Sequence, residues 1–151
     1  MSTRSAIAVL MPDGLYTAIY CHSDGYPSHN GRILAEHYNT QEKAEALVKL
    51  GALSVLDKEL TPPGGKHPSF DDRERGYTLA YHRDRGDDYW IARGKTADRA
   101  AKNIDHAYLY TFANGEWTVS SGEYDHLPIS QFCDRHGDWD DIPCSRSDLR
   151  D

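Results

Sequence analysis

The dipeptide Asn114-Gly115 constrains the fold more than any other local feature, because it lies between two segments with the composition of β-strands. Residues 108–112 are Tyr-Leu-Tyr-Thr-Phe, and residues 116–119 are Glu-Trp-Thr-Val. A two-residue Asn-Gly connection favours a type I′ turn, in which both central residues have positive φ. The sequence therefore predicts a tight antiparallel hairpin at this position.

A second hairpin and one further strand are predicted elsewhere in the chain. Residues 5–11 and 15–22 are β-prone, and Pro12-Asp13-Gly14 between them has the composition of a tight turn. Residues 77–82 predict another strand, which would run directly into a charged turn at residues 83–88. Together with the Asn114-Gly115 hairpin, this gives about five strands.

Three short helices complete the prediction. The first covers residues 30–38, and the second begins after a cap at Asn39 or Thr40 and ends at Gly51. The third follows a cap at Thr96, after which apolar residues recur at helical spacing. Strands and helices come in blocks, which favours an α+β fold: an antiparallel sheet of about five strands with two to three short helices on one face.

The distribution of charge divides the chain into two parts. Residues 121–151 hold eight acidic and three basic residues, a charge of −5 out of a total of −7. We therefore predict an α+β core domain over residues 1–120 and an acidic C-terminal extension over residues 121–151, partly docked or loosely ordered. The nearly balanced core argues against bulk binding to DNA, which requires a basic face. The extension would either engage a basic partner or only favour solubility.

The three cysteines predict neither disulfides nor a metal centre. The chain has an odd number of cysteines, Cys21, Cys133 and Cys144, which argues against a set of paired disulfides. In addition, no apolar run reaches the ~20 residues of a membrane span. We expect a reduced, soluble, cytoplasmic protein without a membrane anchor. Cys133 and His136 with the single Cys144 fall short of the four ligands of a structural zinc site. No metal or other cofactor is predicted.

Two similar segments suggest a polar cluster. His22 and Asp24 follow one predicted strand, and His82 and Asp84 follow another. Residues two apart in a strand share a face, so the four side chains could converge if the strands are neighbours. Such a set could bind a divalent metal or supply a general acid and base. The simpler interpretation is that the aspartates cap turns or pair with arginines while the histidines lie at the solvent edge.

A second candidate site is built on arginines. Arg83 and Arg85 surround Asp84 next to a glycine, and an arginine fork matches a phosphate group. With Arg4 as a further clamp, Tyr26 stacking on a base and His82 beside them, the segment could bind a nucleotide. The alternative is an exposed charged turn whose ion pairs neutralise each other. No catalytic nucleophile motif is present, so no catalytic residue is assigned and a non-enzymatic role is favoured.

Four motifs resemble a widespread family of small phage and prophage proteins. They are Met1-Ser-Thr-Arg-Ser-Ala-Ile, Tyr20-Cys-His-Ser-Asp-Gly-Tyr-Pro27, Gly31-Arg-Ile-Leu-Ala-Glu-His-Tyr38 and Tyr81-His-Arg-Asp-Arg-Gly86. The resemblance covers roughly residues 1–120 and does not extend to the acidic segment. It implies a phage or prophage origin. Small accessory phage proteins commonly act on their bacterial host, often against its defences.

Three functions follow as hypotheses. The leading one is an anti-CRISPR-like accessory protein that binds and inhibits a host defence protein or complex without catalysis. The first alternative is a nucleotide-binding protein that sequesters a small signalling nucleotide. The second is a metal-assisted hydrolase. An exposed strand edge at residues 77–82 could also pair between chains, so a homodimer is left open.

Overall fold

The computed structural model describes residues 3–61, 76–122 and 124–131, and within these ranges it contains one sheet of eight strands. The strands are β1 Ser5–Leu10, β2 Tyr16–Cys21, β3 Leu53–Val55, β4 Leu79–Ala80, β5 Ala92–Gly94, β6 Tyr108–Ala113, β7 Glu116–Ser120 and β8 Leu127–Pro128. The helices are α1 Arg32–His37, α2 Gln41–Val48, α3 Tyr81–Arg85 and α4 Ala97–Ala100, with a π-helical turn at Pro27–Gly31. The predicted α+β class is confirmed. The described helices are all too short to cross a membrane.

The sheet is mixed, which corrects the prediction of an antiparallel sheet. Its order is β4-β3-β2-β1-β6-β7-β8, and β5 pairs with one end of β2. β1 is parallel to β6, and β2 is parallel to β3. The hairpins themselves are antiparallel as predicted, but the second enters the sheet beside β1 rather than at a free edge. The unbroken apolar run of β1 suits this central position, since such a strand is covered on both faces.

Helices lie on both faces of the sheet, whereas one face was predicted. Ile7 and Val9 of β1 face the main core, which also contains the buried residues of α1 and α2. Ala6 and Ala8 face the other side and pack with α4. The small side chains on that side allow α4 to approach closely. A Cβ at Gly94 would lie only 2.7 Å from the backbone nitrogen of Ala100.

The local signals at the turn and helix ends are confirmed. Asn114 and Gly115 have φ values of 55° and 79°, as a type I′ turn requires. Thr40 Oγ1 accepts a hydrogen bond from the Lys43 N–H at the start of α2. Thr96 Oγ1 accepts one from the Arg99 N–H at the start of α4. Such caps satisfy backbone donors that have no partner within the helix.

Residues 77–82 differ from the prediction because the strand there is only two residues long. After Leu79–Ala80 the chain turns into α3, which begins at Tyr81 and ends at Arg85, and the following Gly86 has a φ of +79°. The carboxylate of Asp84 accepts a hydrogen bond of 2.8 Å from the Ala80 N–H. This contact caps the first turn of α3. A short helix therefore stands where a charged turn was predicted.

The sheet continues beyond residue 120. β8 pairs with β7, and Ile129 directly after it is buried in the main core. Cys133, His136, Cys144 and the rest of the acidic segment from residue 132 onward lie outside the described residues.

Candidate functional site

The predicted His–Asp cluster is not assembled. Within the described ranges, no group of three or more histidine, cysteine, aspartate or glutamate side chains is placed to hold a metal ion. His22 Nδ1 lies 2.6 Å from the Tyr20 hydroxyl. Asp24 instead accepts a hydrogen bond of 3.3 Å from the hydroxyl of Tyr26. Its φ of +54° shows that it belongs to the turn after β2 rather than to a continuing strand.

His82 and Asp84 diverge because they lie on a helix. Residues two apart on a helix do not share a face, unlike residues two apart on a strand. The Asp84 side chain is fully buried, where it caps α3. His82 lies on the exposed side, and its Nδ1 is 2.8 Å from the Asp87 carbonyl oxygen. The two pairs therefore do not form a metal-binding cluster within the described residues. The simpler interpretation describes Asp84 and His82 better, since Asp84 pairs with Arg83 and His82 lies at the solvent edge.

Arg83 has a structural position rather than a free fork for phosphate. Its guanidinium donates to both carboxylate oxygens of Asp84. It also donates to the backbone carbonyls of Leu60 and Thr78, at 2.7 and 2.8 Å. The side chain is only 15% exposed. Arg83 thus ties α3 to two other segments, and its hydrogen-bond donors are already occupied.

The other two predicted arginines are paired with carboxylates. Arg4 lies 2.6 Å from Asp105, and the neighbouring Tyr20 phenol together with that carboxylate raises the pKa of Arg4. Arg85 lies 2.7 Å from Asp87, and their hydrogen bond raises the pKa of Arg85 and lowers the pKa of Asp87. A phosphate group would have to compete with these carboxylates. The geometry therefore gives little support to a phosphate clamp.

The structure instead assembles a cleft rich in aromatic side chains beside α3. The cleft has a volume of about 350 Å³, and we call it the aromatic cleft. It is lined by Tyr20, Ala52, Tyr81, His82, Arg85, Asp87, Asp88 and Trp90. Of the predicted site residues, His82 and Arg85 contribute to it. The Arg85 guanidinium lies over the ring of Tyr81, 5.0 Å from its centroid, a cation–π geometry.

Two adjacent aromatic residues project beside this cleft. Tyr89 is 46% exposed and Trp90 is 43% exposed, and they are the exposed large hydrophobic side chains within the described ranges. Sequence reasoning missed both. The sequence did contain a signal: the aromatic pair follows the charged residues 83–88 and is not part of a helical or strand-like repeat of apolar residues.

Specific contacts hold Tyr89 in place. Its hydroxyl donates a hydrogen bond of 2.8 Å to the Lys49 carbonyl oxygen, and its ring meets His82 edge-on at 5.2 Å. Gly51, with φ of +79°, lies directly beneath the pair. A Cβ there would be 3.1 Å from both the Tyr89 ring and the Trp90 carbonyl oxygen. The absence of a side chain at Gly51 lets the aromatic pair sit close to the end of α2.

A second, mainly apolar cleft lies on the other side of this segment. Its volume is about 370 Å³, and its lining includes Met11, Pro12 and Ile91. One wall is held by Arg93, which donates to both carboxylate oxygens of Asp13 at 2.8 and 2.9 Å. The Leu15 N–H and then Arg93 lower the pKa of Asp13. Trp90 and Ile91, adjacent in sequence, thus line two different clefts.

Comparisons with family models, with curated proteins and with solved structures found no match to this chain. The resemblance to phage proteins accordingly stays a prediction.

Proposed function

We propose that this protein is a non-enzymatic binding protein that uses Tyr89, Trp90 and the aromatic cleft to contact and inhibit a host protein. The observation that carries the proposal is the exposed, adjacent pair Tyr89–Trp90. Tyrosine and tryptophan are enriched at the centres of protein interfaces, and here two of them stand exposed side by side. The phage-like motifs supply the second part of the proposal, a host partner and most directly a component of antiviral defence.

The surface has the composition of an interface centre. Tyrosine, tryptophan and arginine dominate the residues whose truncation weakens protein complexes most. Here Trp90 and Tyr81 line the cleft together with Arg85. The pair is also preorganised, because the hydroxyl of Tyr89 is already fixed to Lys49. Preorganisation lowers the entropy lost on binding.

Charge defines the chemistry of the partner. Asp87 and Asp88 face the cleft against the single cation Arg85, and the whole chain has a net charge of −7. A partner with a basic surface would be attracted, and its lysine or arginine side chains could lie over the Trp90 ring. A host protein with a groove built for nucleic acid has such a surface. The protein would inhibit by occupying that groove.

A plaque assay tests the inhibition. Bacteria with a CRISPR effector programmed against a phage would express either the wild-type chain or Trp90→Ala. We expect the wild type to restore plaque formation and Trp90→Ala to lose this effect, because truncation of a central aromatic removes about 2 kcal/mol or more of binding energy. Circular dichroism would confirm that the variant folds. No restoration with any effector class tested would contradict the defence target.

A binding measurement with the purified effector tests the surface itself. Trp90→Ala should raise Kd by about thirtyfold, the equivalent of ~2 kcal/mol. Asp88→Asn should slow association, whereas the matched change Asp125→Asn should not. The Asp125 side chain is 98% exposed and belongs to the turn before β8, away from the lining of the aromatic cleft. Equal affinity of wild type and Trp90→Ala would show that another surface binds.

A further inference from the structure

A third cleft lies on the α4 side of the sheet and shares no lining residue with the aromatic cleft. Its volume is about 570 Å³, within the range of small-molecule sites. We call it the sheet cleft. Its floor contains Thr111 and Thr118, which are opposite residues on β6 and β7, together with Ala113. Its walls contain Tyr16, Lys95, Asp98, Asn114, Glu116 and His126.

Thr111 provides the observation that points to a ligand. Its hydroxyl oxygen is buried and has no hydrogen-bond partner within the described residues. The neighbouring Tyr110 and Phe112 belong to the core on the opposite face, so alternation along β6 directs Thr111 toward the sheet cleft. Rotation of about 120° around χ1 moves the hydroxyl of a threonine to the position of its methyl group, while the methyl group moves to the position of the Cβ hydrogen. Thr111 can therefore present its oxygen to a molecule in the cleft.

The wall opposite the hairpin is held by His126. Its Nε2 lies 3.2 Å from Asp98 on α4, and its backbone N–H donates to the Ser120 hydroxyl at 2.9 Å. The φ of His126 is +49°, in the left-handed region that histidine adopts more readily than most residues other than glycine. These contacts fix the turn before β8 at the wall of the cleft.

The polar groups of the cleft select the class of ligand. Lys95 is its one lysine or arginine, against the carboxylates of Asp98 and Glu116, so the lining does not favour an anion. Carboxylates accept hydrogen bonds from hydroxyl groups, and the Asn114 amide and Lys95 can donate to them. Tyr16 adds an apolar wall. We propose that the sheet cleft binds a neutral polyhydroxyl compound, namely a sugar, with Thr111 as the buried contact on its floor.

NMR titration tests this site, with glucose, galactose and N-acetylglucosamine as probes. We expect saturable shifts of the Thr111 and Thr118 amides with at least one sugar. Thr111→Val keeps the shape of the side chain and removes the hydroxyl, and it should weaken binding by about tenfold. Thr111→Ser should retain binding. Thr17→Val is the control for the loss of a buried threonine hydroxyl at another site, because Thr17 lines a different cleft, where its hydroxyl accepts a hydrogen bond from Arg93.

Two results would overturn the proposal. One is the lack of a saturable shift with every sugar, and the other is binding that Thr111→Val leaves unchanged. Inorganic phosphate and ethylamine serve as comparison probes. If no sugar shifts Thr111 but one of these two does, the first result also shows that the ligand belongs to a different class. The measurement does not depend on a host partner, so its failure leaves the proposed function of the aromatic cleft untouched.

Discussion

Trp117 Nε1 donates a hydrogen bond of 2.9 Å to the backbone carbonyl of Tyr38, although the two residues are 79 positions apart in the chain. Both residues are buried. The Tyr38 hydroxyl in turn donates to the Asp57 carbonyl oxygen at 2.7 Å. Tyr38 therefore joins the end of α1 to the second hairpin and to the segment after β3, and the integrity of this junction can be measured.

Trp117→Phe should destabilise the protein by about 1–3 kcal/mol, because it leaves the buried carbonyl of Tyr38 without its donor. The phenylalanine ring keeps most of the contact with Phe112, whose ring centroid is 5.1 Å from that of Trp117. Urea unfolding monitored by circular dichroism would measure the loss. The control is Trp90→Phe, an exposed position where the change should stay within ~0.5 kcal/mol. Equal effects at both positions would contradict the role of the hydrogen bond.

Arg83→Ala should lower the free energy of unfolding by about 3 kcal/mol, since it leaves the buried Asp84 carboxylate without its charge partner. Arg83→Lys should recover only part of this loss, because an ammonium group cannot reproduce the planar fork. Arg85→Ala is the matched control. Its ion pair with Asp87 is exposed, and such pairs contribute at most about 1 kcal/mol. An Arg83→Ala protein as stable as wild type would contradict the structural role assigned to Arg83.

Alkaline pH should destabilise the fold through Cys21. Burial raises the pKa of this thiol from 9.0 to about 11, while the hydrogen bond from Asn30 acts in the opposite direction. A raised pKa means that the native state holds the proton longer than the unfolded state does. The resulting stability is fully present below pH ~9 and is lost as the pH rises toward about 11. Urea unfolding at pH 8, 9, 10 and 11 should show this decline.

Cys21→Ala serves as the control for this pH dependence. It should be less stable than wild type at pH 8. The difference in free energy of unfolding should shrink by an amount on the order of 2 kcal/mol as the pH rises, because only the wild type has the thiol. Burial likewise raises the pKa of Tyr38 to about 12, so Tyr38 adds a decline at still higher pH in both proteins. If the difference in free energy of unfolding between the two proteins stays constant from pH 8 to 11, the buried thiol is not the source of the pH dependence.

Gly115→Ala should cost about 1–2 kcal/mol, because φ at this position is +79° and a Cβ strains that conformation. No atom lies within 4 Å of the added Cβ, so the effect would report backbone strain alone. Gly122→Ala is the matched control, since that position is equally open and does not have a positive φ. Similar melting temperatures for the two variants would show that the positive φ at Gly115 does not penalise an added Cβ.

Features decided within a few residues could be predicted from the sequence. The Asn114-Gly115 turn, the caps Thr40 and Thr96 and the two antiparallel hairpins all appear where expected. The physical reason is that positive φ, a capping oxygen and a short turn act on neighbouring backbone groups. The groups that make such contacts are only a few residues apart in the sequence.

The candidate site could be predicted only in part. His82 and Arg85 line the aromatic cleft, but the exposed pair Tyr89–Trp90 beside it was missed. An aromatic residue in a sequence gives no sign of whether it is buried or exposed, since the packing of distant segments decides this. Here the decisive partners are Lys49 and Gly51, about 40 positions earlier in the chain.

Tertiary structure alone decided the rest. The sequence by itself determined the two hairpins, the capped starts of α2 and α4, and the α+β class. It did not determine that β6 lies parallel to β1, or that α4 covers the opposite face from α1 and α2. Likewise, Arg83 holds a structural position because the carbonyls of Leu60 and Thr78 converge on it. These outcomes depend on contacts between residues far apart in sequence, whose free energies are settled only when the whole core packs.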